Sequence, residues 1–211
     1  MGNRHPDCPG CTRLPAPEAG SPGRAGRVST ASANGPPNLV RVFVLGLDPG
    51  LSRCGYCVVE QRVGAKPRAV ALGVITTPPR DPVHLRLAEL QAELRLLFDE
   101  YRPEALAVER VLFQVNVRTA MSVGQASGLA MAEAASRGCA VEQYSPNEVK
   151  QAVAGYGGAS KEQVQRMVQT LLGLAEIPNP PDAADAAALA LCHLARAPMA
   201  RAAAAATKGV R

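Results

Sequence analysis

The chain has 211 residues and a mass of 22.0 kDa, enough for one sizeable domain and marginal for two. Apolar residues make up 47% but aromatics only 3%, with no Trp, so the core must be aliphatic, and no apolar run reaches the roughly 18 residues of a membrane span, which excludes an integral membrane protein. Lys and Arg exceed Asp and Glu by 23 to 18, and that net +5 suits a polyanionic partner without requiring one.

Residues 1–39 are a different material. They hold seven prolines and six glycines, with Leu14, Val28 and Leu39 as the large aliphatics. Such a segment cannot bury enough apolar surface to offset its ordering entropy and is expected to be a disordered tail. It has no apolar middle region of a secretory signal, so the expected location is cytoplasmic. Its arginines form no amphipathic pattern, which argues against a transit peptide. A second reading places the natural start near Val40, with the tail a mis-called extension.

From Val40 the pattern is that of an α/β domain running to residue 198. Arg41–Asp48 (RVFVLGLD) is β-rich and ends in the turn signal Asp48-Pro-Gly50. Gly55–Glu60 and Ala69–Thr76 read as the next two strands, giving an antiparallel meander. Asp81 is expected to N-cap a helix with Pro82 at its first position. Leu87, Leu90, Leu94, Leu97 and Tyr101 share one face of that helix, which Pro103 ends. Ala105–Glu109 (ALAVE) reads as a short buried strand. A long helix over 116–137 is rich in small residues, and 140–144 is a fifth strand. Ser145-Pro-Asn-Glu148 and Ser160-Lys-Glu-Gln163 are capping boxes that start two further helices. They are separated by the Gly-rich 155–159 loop. Asn179-Pro-Pro181 breaks the chain before a last helix, opened by Asp182 and ending near Arg196-Ala-Pro198. Residues 199–211 read as a frayed, basic, Ala-rich tail. The sum is a five-stranded mixed sheet, three antiparallel strands followed by parallel ones, with helices on both faces.

Six cysteines include two Cys-x-x-Cys pairs, Cys8/Cys11 in the tail and Cys54/Cys57. The second pair lies in a predicted strand, where residues three apart face opposite ways and cannot chelate together. The cysteines therefore read as free thiols rather than a zinc site.

Four carboxylates sit where structure would hold them. Asp48 ends the first strand and Glu109 the fourth, and a crossover helix would make those strands neighbours. Asp182 and Asp185 are three apart on one helix and share a face. Each alone has an ordinary reading as a turn former, a strand end or a helix N-terminal acid. Together they are far more specific. Four carboxylates in one cleft repel unless cations neutralise them. Magnesium suits such a site, being hard and content with few protein ligands. Two ions would clamp both oxygens of a phosphodiester undergoing hydrolysis.

The run Gly46-Leu-Asp-Pro-Gly-Leu-Ser-Arg-Cys-Gly55 resembles the first motif of RuvC, the Holliday-junction endonuclease family of bacteria. Val108-Glu-Arg-Val-Leu-Phe113, with Asn116 and Gly124-Gln-Ala126, resembles its second. Asn147-Glu-Val-Lys-Gln151 and Gly158-Ala-Ser-Lys-Glu-Gln-Val164 resemble later blocks. Asp182-Ala-Ala-Asp-Ala-Ala-Ala-Leu-Ala190 resembles the closing acidic helix. The blocks are collinear over roughly 41–198. This resemblance implies an RNase H-like fold and a homodimer that cuts a four-way junction symmetrically. It implies that Asp48, Glu109, Asp182 and Asp185 bind magnesium, two ions per site, and carry catalysis. It implies that Lys150 and Lys161 contact DNA or the scissile phosphate, and that the RuvA–RuvB branch-migration complex is a partner. The family often has a stacking aromatic three residues after the glutamate; here that position is Leu112, and Phe113 follows. Phe113, Gln114 and Arg118 are further candidates for DNA contact.

Other readings of these motifs are weaker. Sugar kinases and actin-like ATPases carry a loosely similar Asp-Pro-Gly hairpin but need a second lobe. YqgF-type nucleases lack the paired Asp. A catalytically idle junction-binding module would not need all four acids.

Overall fold

The computed structural model describes residues 41–110 and 117–208, with side chains described over 41–110 and 120–197. The tail 1–39 with Cys8 and Cys11, and the candidates Phe113 and Gln114, lie outside the described residues. In chain order the elements are β1 (Arg41–Asp48), β2 (Arg53–Arg62), β3 (Arg68–Thr76), α1 (Val83–Tyr101), β4 (Ala105–Glu109), α2 (Val117–Ser136), β5 (Ala140–Tyr144), α3 (Pro146–Ala154), α4 (Lys161–Leu172) and α5 (Pro181–Lys208). The sheet order is β3-β2-β1-β4-β5. The β1–β2 and β2–β3 pairs are antiparallel, and β1–β4 and β4–β5 are parallel. This is the mixed sheet expected.

Both sheet faces are covered. Side chains alternate along a strand, so β1 and β4 must be apolar on both sides to sit at the centre. Leu45, Leu47, Cys54, Val58, Leu106 and Val108 face α1 and α2, where they meet Leu90, Leu94, Phe98 and Ala126. Val44, Cys57, Val59 and Ala107 face the other way, against α3, α4 and the alanine-rich α5. Cys54 and Cys57 thus point to opposite faces, and burial pushes the Cys54 thiol up to about 12, so it stays protonated. The four described cysteines are free thiols.

Two predicted boundaries are corrected. Asp81 does not cap α1. The helix starts one residue later than expected, so Pro82 occupies the cap position without a side-chain hydrogen bond, and Asp81 lies outside the first turn. The last helix does not end near Pro198 but runs to Lys208. The alanines of 199–206 have the highest intrinsic helix propensity, which offsets the single backbone bond that Pro198 removes. Both capping boxes form as expected, at Ser145/Glu148 and Ser160/Gln163.

The close approach of α5 to the sheet depends on missing side chains. A Cβ on Gly46 would overlap the Ala186 carbonyl, and one on Gly55 the Asp182 carbonyl. With small residues on both sides, the helix lies directly on β1 and β2. At its far side the Tyr144 hydroxyl and His193 Nδ1 share a buried 2.9 Å hydrogen bond that ties α5 to the end of β5. Among the described residues no helix is long and apolar enough to cross a membrane.

Candidate active site

Strand parity brings the acids to one face. Val44 and Ala107 point toward α5, so Asp48 and Glu109, four and two residues on, point the same way. The parallel β1–β4 register pairs Leu47 with Val108, and one step further Asp48 lies beside Glu109. On its other side Asp48 pairs with Gly55, over which the backbone of Asp182 rests. Asp185 follows one helical turn later on the same face of α5.

The electrostatics register this crowding. Burial first, then Glu109, Asp185 and Asp182, push the Asp48 carboxyl up to about 7, against the pull of Lys161. Burial and Asp185 also raise Glu109 above the usual carboxylate range. Two cations of the chain answer the charge. Lys161, first residue of α4, places Nζ 2.7 Å from Oδ2 of Asp185, and that bond chiefly holds its ammonium above its ordinary pKa. Arg53 donates from Nη2 (2.7 Å) and Nε (3.1 Å) to Oδ2 of Asp182.

The donor set suits a hard divalent cation: four carboxylates on rigid strands and a helix, two of them with an ionisation cost that a cation would remove. The geometry is that of a gathered cleft rather than a closed coordination shell. Among the described residues no three Asp, Glu, His or Cys side chains stand as a preformed metal-holding group, and Asp182 and Asp185 each direct an oxygen to Arg53 or Lys161.

Of the other predicted residues, Lys161 joins the cleft directly. Lys150 lies half-buried on α3 and makes no hydrogen bond or ion pair with the four acids among the described residues. Arg118 is in the first turn of α2, with its side chain outside the described residues. Arg53 is not singled out by the sequence, although it lies within the first motif. Its role depends on Asp182, 129 residues away in the chain.

Comparison with known proteins decides the family. The model of the family "Crossover junction endodeoxyribonuclease RuvC" matches residues 44–193. The chain belongs to the RuvC family. A RuvC of Corynebacterium jeikeium is 48% identical over 155 residues, covering 74% of this chain and 95% of that one. A RuvC of Moorella thermoacetica is 50% identical over 157 residues, covering 74% of this chain and 93% of that one. The structure of Thermus thermophilus RuvC in complex with a Holliday junction substrate superposes with a TM-score of 0.72 at 39% identity, over 75% of this chain and 96% of that one. The yeast mitochondrial Holliday junction resolvase Ydc2 shares the fold, with a TM-score of 0.53 at 16% identity, over 73% of this chain and 79% of that one.

Proposed function

We propose that the chain resolves four-way (Holliday) DNA junctions in recombination and repair, hydrolysing phosphodiester bonds at the cleft of Asp48, Glu109, Asp182 and Asp185. The observation that carries this reading is the convergence of those four carboxylates from two adjacent strand ends and one helix in a RuvC-family chain. We read the resident metal as magnesium, two ions per site, held by the four carboxylates. Bound magnesium supplies a Lewis acid for the phosphodiester and lowers the pKa of the attacking water. The chain's part is to hold the acids rigidly and to offer cations to the DNA backbone. Lys161 and Arg53 flank the carboxylates and are placed to meet phosphate oxygens. Lys150 on α3, and Phe113, Gln114 and Arg118 at and before the start of α2, are assigned to DNA further from the cut, with Phe113 stacking on a base.

Paired symmetric cuts require two such centres, and one chain holds one, so the working form is a homodimer with a two-fold axis. RuvA–RuvB supplies the junction, and the cytoplasm is the site of action. The test is cleavage of a synthetic four-way junction in magnesium, with a linear duplex of the same sequence as control. Paired cuts in the junction and none in the duplex are expected. Equal cutting of both, or magnesium-dependent ATP turnover without cutting, would overturn the reading. A species that stays monomeric on the junction would overturn the dimer.

Stability of the metal-free protein offers an independent check. The folded Asp48 carboxyl titrates at about 7, against 3.8 for the free group. A raised pKa means that the folded state holds the proton more tightly, so the stabilisation is complete below pH 3.8 and is lost as pH rises through about 7. In EDTA the midpoint of thermal unfolding should therefore fall between pH 5 and 8, by the equivalent of about 2–4 kcal/mol. Magnesium should restore more stability at pH 8 than at pH 5. A pH-independent response to magnesium would contradict this electrostatic picture.

A further inference from the structure

The turn between β1 and β2 carries a second feature that the carboxylates do not use. Arg86, on the first turn of α1, is only 8% exposed. Its Nη2 donates to Ser52 Oγ at 2.7 Å and its Nε to Thr77 Oγ1 at 3.0 Å. Thr77 in turn donates its hydroxyl to the Leu51 carbonyl and its amide to the Ser52 carbonyl. Arg86 thus holds the turn that follows Asp48 from behind. Among the described residues it has only these neutral hydroxyl partners and no carboxylate at ion-pair distance. A buried cation with neutral partners alone is costly and favours an anion nearby.

Ser52 is where that charge reaches the surface. It is exposed, immediately before β2 and four residues after Asp48, at the sheet end where the acids gather. One lone pair of Oγ accepts from Arg86, and among the described residues no acceptor takes its proton, which leaves the hydroxyl free to donate. The next residue, Arg53, holds one oxygen of Asp182 through Nε and Nη2, and its side chain is half-exposed. A polarised hydroxyl donor braced from the α1 side and a guanidinium reaching the α5 side, on consecutive residues at one sheet end, flank that end with the chemistry of a phosphodiester subsite.

We infer that Ser52 and Arg53 bind a backbone phosphate of the junction strand next to the one that is cut, and that Arg86 is the positioning residue that aims Ser52 at it. This inference rests on reading the carboxylate cleft as the place of cleavage. Arg53 would serve both sides, anchoring Asp182 and fixing the strand that runs past it.

The test is junction binding in EDTA, where no cutting occurs, using four-way junctions that carry a single neutral methylphosphonate at successive positions around the cleavage point. Wild type should lose about tenfold in affinity at one position, the scale of a hydrogen bond to a charged group. Ser52→Ala should bind the unmodified junction about tenfold more weakly and lose nothing further at that position, while Ser52→Thr binds as wild type does. Arg53→Gln should lower the salt slope of binding by about one phosphate contact. Arg86→Lys keeps the charge but loses the planar fork; its loss should disappear in the Ser52→Ala background, where a purely structural defect would persist. The Ser52 variants decide the matter whatever Arg86→Lys does to folding. Ser52→Ala binding like wild type, or no coupling to any methylphosphonate, overturns the subsite. Wild type in magnesium is the separate control: failure to cut the unmodified junction overturns the endonuclease reading, and cutting without coupling overturns only the subsite.

Discussion

Asp48→Asn is expected to lower junction cleavage by about 10³-fold or more, with junction binding kept within a few-fold. Asn preserves the shape of the side chain but removes the charge at the centre of the quartet. That carboxylate lies beside Glu109 across the β1–β4 ladder and opposite Gly55, beneath Asp182. With magnesium held by the quartet, as proposed, losing one anionic oxygen donor would remove several kcal/mol of Lewis-acid stabilisation, and about 4 kcal/mol corresponds to that fall in rate. The substitution should also stabilise the metal-free protein at pH 8, by about 2 kcal/mol, because the charge whose ionisation burial and three neighbours oppose is gone. The downward slope of stability between pH 5 and 8 should flatten with it. Single-turnover cleavage, binding in EDTA and thermal unfolding at two pH values test this set. Residual cleavage within tenfold of wild type would remove Asp48 from the centre of the site.

Gly55→Ala is the second large effect, and it acts without touching a charge. Gly55 pairs with Asp48 in the β1–β2 ladder and faces α5. A Cβ there would meet the carbonyl carbon and oxygen of Asp182, which are backbone atoms of a packed helix and cannot swing aside as a flexible side chain would. Overpacking of this kind costs about 1–3 kcal/mol. The strain falls on the first turn of α5, which carries Asp182, with Asp185 one turn further along the same face. A displacement of about 1 Å at a catalytic group is enough for a loss near 10²-fold. The expected outcome is that fall in cleavage together with a lower unfolding temperature, by about 2–4 °C per kcal/mol for a chain of this size. The two variants thus lose activity with opposite shifts in metal-free stability at pH 8. Gly55→Ala with wild-type cleavage would show that α5 does not need its close seat on β2.

Much of this fold is legible in the order of residues. The bounds of β1, β4 and β5 follow from short apolar runs ended by turn residues, and both later capping boxes form at the residues that spell them. The start of α1 differs from its expected place by one residue because proline suits both the cap and the first turn. The end of α5 lies beyond its expected place because the alanines after Pro198 outweigh that proline.

What the chain's own order of residues determined, then, was local: which segments are strands and helices, that a crossover helix makes the first and fourth strands neighbours, and that two acids end those strands while two more share a helix face. Periodicity and capping are read over a few residues, and they survive into the fold. What only the tertiary structure decided was pairing at a distance. That Arg53 meets Asp182, that Lys161 meets Asp185, and that a buried Arg86 braces the turn after Asp48 depend on contacts between segments 24 to 129 residues apart. A lone arginine on an amphipathic helix reads as a solvated residue until the strand that covers it is in place. The net charge belongs to the same lesson. Subtracting the +2 of residues 1–39 from +5 leaves +3, a small excess in which an acidic cleft and the cations around it largely cancel. Only their placement, and not their sum, shows that the acids and two of the cations gather at one end of the sheet.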